Sequence, residues 1–309
     1  MAMTGVLRPG HIQIRVLDLD EGVNFYSNVI GLRETGRDSQ GRVYLKCWDE
    51  HDHHSVILCE AESPGMDFAG FRVLDLETLD TLEAKLNAYG LPTRRIPAGD
   101  LLETGERVRF TIPSGHQIEL YAEKAKVGNG LGNIAPAPWA PERDKGMGPV
   151  HLDHFLLYGP NISEVRRIFT EVLGFRLTEQ VLAPDGVSDQ AVFLSCSHKP
   201  HDVAFVEYPE LGKFHHASFL LETWEQVLRA GDIMSMNKVN VDIGPTRHGV
   251  TRGMTIYAWD PSGNRFETFC GGYFAYPDQE TIIWPFEDFP QGLDYPQRKL
   301  HESFLTIVT

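Results

Sequence analysis

Apolar residues follow two different periods along this chain. Leu76, Leu79, Leu82 and Leu86 fall three or four residues apart, and Gly90-Leu91-Pro92 stops the run, so the spacing predicts a helix over 76–89. A second helical segment is expected over Trp224–Met234. Other apolar stretches are short and bounded by turn residues, which is the pattern of strands. Such runs open at His11 and His154, cover Met66–Arg72 and Phe214–Leu220, and flank Pro113-Ser114-Gly115 and Pro261-Ser262-Gly263. Tight Pro-Ser-Gly turns join successive strands closely, so the pairing should be mostly antiparallel and the class α+β.

The pattern also repeats. Gly31-Leu32-Arg33 after Phe25–Ile30 resembles Gly174-Phe175-Arg176 after Phe169–Leu173, an offset of 143 that also carries His11 onto His154. Ile112–Glu119 resembles Asp260–Glu267, with Pro113 falling on Pro261 at an offset of 148. So small a drift means two copies of one domain. The stretch 126–148 between them is rich in Gly, Asn, Ala and Pro, including Pro136, Pro138 and Pro141, which is linker composition. The expected domains are therefore 1–147 and 148–309, each divisible into two strand–helix–strands units. Residues 273–309 have no counterpart in the first copy and carry Phe274, Tyr276, Trp284, Phe286, Phe289, Tyr295 and Phe304. So many aromatics should pack back on the second domain, either as plain structural packing, the simpler reading, or across a cavity mouth.

Length agrees with two domains, since 309 residues exceed what one hydrophobic core usually supports. The 28 Lys and Arg against 43 Asp and Glu leave a formal charge of −15, which argues against nucleic acid or an anionic membrane as partner. No run is long enough to cross a bilayer, and Met1–Gly10 lacks a basic stretch followed by an apolar core. Cys47, Cys59, Cys196 and Cys270 lie far apart in no zinc or redox spacing, as expected of reduced, mostly buried thiols in a cytoplasmic protein.

Candidate chemistry emerges where the copies differ. His154, His216 and Glu267 fall on three separate predicted strands of the second copy, whereas the first has His11, Phe68 and Glu119 at those positions. Two imidazoles and a carboxylate on one face are the donor set of non-haem iron(II) oxygenases, which leave coordination positions open for substrate and O2. His215 competes with His216, because strand alternation lets only one of them face the site. A turn centred on Ser262 sets Tyr257 opposite Glu267, so phenol and carboxylate share a face. The same construction on Ser114 sets Arg109 opposite Glu119, predicting an ion pair in the first copy. Each of these residues has a plainer reading as a packed histidine or a strand salt-bridge partner.

Arg8-Pro9-Gly10-His11, Gly41–Lys46, Pro64–Phe68, Ile243–Gly249 and Asp260–Arg265, leading to Glu267 with Tyr257 before it, together carry a resemblance over nearly the whole chain. The sequence resembles the catechol 2,3-dioxygenases, type I extradiol dioxygenases of the vicinal oxygen chelate superfamily. The resemblance implies paired βαβββ modules, two per domain, and a homotetramer. It also implies Fe(II) held by His154, His216 and Glu267 in the C-terminal domain, none in the N-terminal domain, and His201, His248 and Tyr257 as catalytic groups around it. The implied reaction is O2-dependent cleavage of catechol and substituted catechols beside the paired hydroxyls, giving 2-hydroxymuconic semialdehyde in aromatic-compound degradation. Glu60 aligns with Glu207, which places His54 opposite His201 in the first copy. Two other readings use related scaffolds. One is a glyoxalase-like isomerase or lyase drawing ligands from both halves, against which Phe68 counts. The other is a metal-free small-molecule-sequestering protein, which stoichiometric iron would exclude.

Overall fold

The computed structural model describes residues 5–128, 135 and 137–309, so Pro136 of the linker and residues 1–4 lie outside the described residues. The first half runs β1 (Val6–Val16), α1 (Leu19–Asn24, continuing as π-helical Phe25–Ile30), β2 (Arg33–Arg37), β3 (Val43–Lys46) and β4 (Val56–Glu60). It then repeats as β5 (Gly65–Val73), α2 (Leu76–Tyr89), β6 (Thr93–Ile96), β7 (Arg107–Thr111) and β8 (Gln117–Tyr121). The second half gives β9 (His151–Gly159), α3 (Ile162–Arg167, continuing as π-helical Ile168–Val172), β10 (Arg176–Leu182), β11 (Asp189–Ser195) and β12 (Val203–Glu207). After these come β13 (Lys213–Leu220), α4 (Trp224–Met236), β14 (Val241–Arg247), β15 (Gly253–Trp259) and β16 (Arg265–Gly271). The chain is thus α+β, two tandem domains each of two βαβββ modules.

The strand orders are β2-β3-β4-β1-β5-β8-β7-β6 and β14-β15-β16-β13-β9-β12-β11-β10, and the two orders correspond under the repeat. Hairpin-linked strands pair antiparallel as expected. Each module nevertheless closes on itself through a parallel pair, β1–β4, β5–β8, β9–β12 and β13–β16, which the turn signals did not announce. The strands at His11 and His154 begin earlier than the apolar runs, at Val6 and His151. Residues Val6 to Pro9 add to β1 by pairing with Val73 to Phe71 across bulges.

Local chemistry accounts for the helices. Asp75 accepts the Thr78 N–H at 2.8 Å to cap α2, Leu79, Leu82 and Leu86 are buried, and Gly90 ends it with φ +98°. Burying each leucine contributes roughly 1.5–3 kcal/mol. Thr223 caps α4, which runs two residues beyond the expected Met234. One continuous hydrophobic core joins the two halves, with Phe71 meeting Phe155 and Phe175 edge-on at centroid distances of 6.0 and 5.4 Å.

The C-terminal end of the linker is docked. The Met147 and Gly148 N–H groups donate to Ile30 O at 3.0 and 3.1 Å, and a Cβ at Gly31 would lie 2.0 Å from Lys145 O. That close approach, with φ +99°, requires the glycine. The tail packs on the second domain, but less completely than its aromatics suggest: β17 (Ile282–Trp284) pairs with β10, and Phe289 of α5 (Phe289–Leu293) and Phe304 of α6 (Glu302–Thr306) are buried, while Phe274, Tyr276, Phe286 and Tyr295 stay exposed. All four cysteines are free, Cys47 and Cys270 buried and the other two half-buried. No helix among the described residues is long and apolar enough to cross a membrane.

Candidate metal centre

Three neighbouring strands of the second sheet bring His154 (β9), His216 (β13) and Glu267 (β16) together. Ser218 is the register partner of both His154 and Glu267, which fixes their relative height. One ligand atom from each of the three residues lies within 4.8 Å of the others, and all three side chains are buried. His154 Nε2 is 3.0 Å and His216 Nε2 3.4 Å from Glu267 Oε2. Tyr257 and Glu267 are register partners across the β15–β16 hairpin, as the turn predicts. That hairpin is shaped by Asp260, whose Oδ1 accepts the Ser262 and Asn264 N–H groups at 2.9 and 2.8 Å.

Around the triad, hydroxyls rather than cations serve the carboxylate. Thr255 Oγ1 donates to Glu267 Oε1 at 2.6 Å and Ser218 Oγ to Oε2 at 2.5 Å. The His154 Nδ1–H donates to Asp153 Oδ2 at 2.9 Å, and Lys199 Nζ holds Asp153 Oδ1 at 3.1 Å and Asp202 Oδ1 at 3.0 Å. The His201 ring lies 4.0 Å from the His154 ring, centroid to centroid. The Tyr257 hydroxyl donates to His248 Nε2 at 2.7 Å, while His248 Nδ1–H donates to the Leu293 carbonyl of the tail. All six residues singled out in the sequence line one cavity of about 990 Å³, with Leu156, Phe193, Val250 and Phe269 among its apolar wall residues and Phe289, Leu293 and Phe304 contributed by the tail.

The charge states follow from burial and neighbours. Burial opposes ionisation of Glu267, but its hydrogen bond and charge interaction with the His154 imidazole outweigh it and hold the carboxyl well below the usual carboxylate range. Burial lowers His216 to about 4. His201 lies well below the imidazole range, by burial first and then the His154 charge. Burial also depresses His154, but its bonds to Asp153 and Glu267 prevail and raise it. Tyr257 is raised by burial and then by Glu267.

The donor set fits a divalent cation. His216 Nε2 is buried with no hydrogen-bond partner although it faces an ionised carboxylate oxygen. Two lone pairs at 3.4 Å repel, and a cation between them reverses the sign. His154 can supply the proton it shares with Glu267 or, on losing it, a ligand nitrogen, which is how metal uptake displaces protons.

Residue reasoning did not single out Asp153, Ser218 or Thr255. The first adjoins His154 in sequence, and the other two were accessible through the register. It set His215 against His216 as the one that faces the site, and only His216 lines the cavity; His215 is buried beside it, at a bulge between Phe214 and His216. In the first half, His11, Phe68 and Glu119 occupy the matching positions and Arg109 pairs with Glu119 as expected.

Comparison with known proteins agrees with this arrangement. The model of the catechol 2,3-dioxygenase-like N-terminal domain matches residues 66–125, and that of the glyoxalase/bleomycin resistance protein/dioxygenase superfamily matches residues 151–268. A metapyrocatechase of Pseudomonas sp. (strain CF600) is 53% identical over 306 residues, 99% of each chain. A manganese-dependent 2,3-dihydroxybiphenyl 1,2-dioxygenase of Geobacillus genomosp. 3 is 28% identical over 92% of this chain and 91% of its own. The crystal structure of the 2,3-dioxygenase LapB from Pseudomonas sp. KL28 has a TM-score of 0.92 at 70% identity, covering 93% of this chain and 100% of that one. Identity and coverage of that order, over a matching fold, show that the chain belongs to the catechol 2,3-dioxygenase (metapyrocatechase) family.

Proposed function

We propose that this protein is a metal-dependent extradiol dioxygenase that opens catechol and substituted catechols beside the paired hydroxyls, with Fe(II) as its metal. The overall change adds both atoms of O2 to catechol and gives 2-hydroxymuconic semialdehyde, so no external reductant enters. The carrying observation is the buried, unpartnered His216 Nε2 directed at an ionised Glu267 beside His154. His154, His216 and Glu267 would hold the metal, leaving the cavity side open to substrate. When bound, the metal supplies Lewis acidity that favours the catecholate and a template that places O2 beside the ring.

The remaining steps belong to the protein. His248 and Tyr257, already hydrogen-bonded to each other, meet the substrate oxygens and hold its ionisation state. The apolar walls exclude water and admit a flat aromatic ring. His201, kept neutral by burial, stabilises developing charge on the reacting oxygen and returns a proton during ring opening.

The catalytic unit proposed is residues 148–309, with 1–147 as a domain that holds no metal. Family resemblance supports a homotetramer, and four free thiols suit the cytoplasm. The test is anaerobic reconstitution of the apoprotein with Fe(II) or, separately, Mn(II), followed by catechol and O2. A yellow ring-fission product from the iron form is expected. Colourless muconate would mean cleavage between the hydroxyls and overturn the reaction, and faster turnover with Mn(II) would overturn the metal.

A further inference from the structure

We propose that His215 is a positioning residue that, relayed from a carbonyl of the C-terminal tail, locks His216 in the tautomer able to bind metal. The inference rests on the metal-site reading above. His215 is 1% exposed, stacked on Tyr158 at 4.7 Å and packed against Phe304 at 4.2 Å between ring centroids. Its Nε2 lies 2.9 Å from the Phe304 carbonyl oxygen, and its Nδ1 lies 2.7 Å from His216 Nδ1.

The proton count along this line has one solution. A carbonyl only accepts, so His215 Nε2 carries the hydrogen. Among the described residues the two hydrogen-bond partners of His215 are that carbonyl and the His216 ring, with no carboxylate bonded to it, so with Nε2 donating the geometry leaves Nδ1 as the acceptor. Two nitrogens 2.7 Å apart share one hydrogen, which must then sit on His216 Nδ1. That leaves His216 Nε2 as a lone pair, the same atom that lacks a partner and faces Glu267. A metal-bound imidazole oriented by a hydrogen bond from its other nitrogen is the general rule, but here the acceptor is a second histidine.

The tail fixes the start of the relay. Phe304 O also accepts the Tyr158 hydroxyl at 2.9 Å, so both its lone pairs are used. Arg265 donates to Ser303 O and Ile307 O at 2.9 and 3.0 Å, holding the turn of α6. Thr309 exchanges both backbone hydrogen bonds with Phe214, at the bulge that turns His215 toward the tail. In the first domain the residue at the same repeat offset is Asp67, half-buried and bonded to Arg15 and Gln13.

Three variants separate the relay from packing. In His215→Asn the amide oxygen can take the place of Nδ1 and still accept from His216. His215→Gln places its amide near the old Nε2 and offers His216 nothing, and His215→Phe fills the aromatic stack but removes both bonds. Fe(II) affinity of each apoprotein is measured anaerobically by competition with a chelator, alongside the thermal midpoint of the metal-free protein. The relay requires His215→Asn to bind within about threefold of the parent and both other variants to bind about 10–100-fold more weakly, the usual range for loss of such a support. A role in packing alone requires His215→Phe to be the best of the three, with affinity tracking the thermal midpoint. Either that order, or equal affinities throughout, overturns the relay. Should His215→Phe fail to fold, the Asn–Gln contrast decides alone. Parent protein that takes up no stoichiometric metal would instead overturn the underlying site reading.

Discussion

Both halves of this molecule bury a glutamate on the last strand beside a histidine on the first, yet they neutralise it differently. In the N-terminal half, Glu119 takes Arg107 Nε at 3.0 Å, Arg109 Nη2 at 2.5 Å and His11 Nε2 at 3.0 Å. In the C-terminal half, the register places Thr255 and Tyr257 where Arg107 and Arg109 stand, and His216 where Phe68 stands. One carboxylate is satisfied by cations covalently part of the chain. The other has hydroxyls, imidazoles and an unpartnered nitrogen, and its charge calls for a cation from outside. The scaffold supplies the convergence in both cases, and the choice of side chains decides whether a guest ion has a place.

The largest expected effect comes from removing that negative charge. Glu267→Gln preserves volume but should abolish stoichiometric iron, and turnover with it. His201→Asn should do the reverse, keeping iron while lowering kcat by about 10²–10⁴-fold, the usual contribution of a positioned acid–base group. Metal analysis and turnover on the same samples check both. Equal loss of iron from the two variants would place His201 among the groups that hold the metal and remove its catalytic assignment.

Much of this contrast is readable in the sequence, for local reasons. The α2 boundaries follow from Asp75, the leucine spacing and Gly90. Both hairpin registers follow from the Pro-Ser-Gly turns, which is why Arg109–Glu119 and Tyr257–Glu267 emerge as pairs. What stays hidden is non-local or lies in the backbone. Arg107 reaches Glu119 from two residues along β7, a reach that depends on a long side chain folding across the sheet. The bulge that sets His215 beside His216 and against the tail leaves no mark in the residue types. The Leu293 and Phe304 carbonyls that orient His248 and His215 have no residue signature, since any residue carries that group.

A moderate effect should follow from breaking the other side of the comparison. Glu119→Gln leaves the Arg109 guanidinium without its counter-charge and Arg107 with Asp100 alone, and breaking such a buried pair typically costs about 3–5 kcal/mol. Denaturant unfolding should register that loss while iron content stays at the parent level. Burial alone would raise the Glu119 pKa, but the His11 hydrogen bond and the Arg107 and Arg109 charges bring it down to about 2, from an ordinary 4.5. A depressed carboxyl stabilises the fold fully above the ordinary value, and that contribution fades as pH falls toward 2. Stability of the parent should therefore fall through this acid window more steeply than that of Glu119→Gln.

The smallest expected change is the one that tests the comparison most directly. Phe68→His restores, in the N-terminal half, the imidazole that the C-terminal half has at His216. If a missing ligand were all that separates the two sites, this variant would bind a second iron. The guanidiniums argue otherwise: Arg109 lies 4.2 Å over the Phe68 ring, and both arginines already hold the Glu119 oxygens. A divalent ion would have to displace tethered charges of its own sign. Iron analysis after anaerobic reconstitution should thus show no gain for Phe68→His alone. Phe68→His combined with Arg107→Thr and Arg109→Tyr, which copies the C-terminal surroundings, should gain a second, weaker equivalent. A second iron in the single variant would show that the arginines do not keep the ion out, and that ligand count alone separates the two halves.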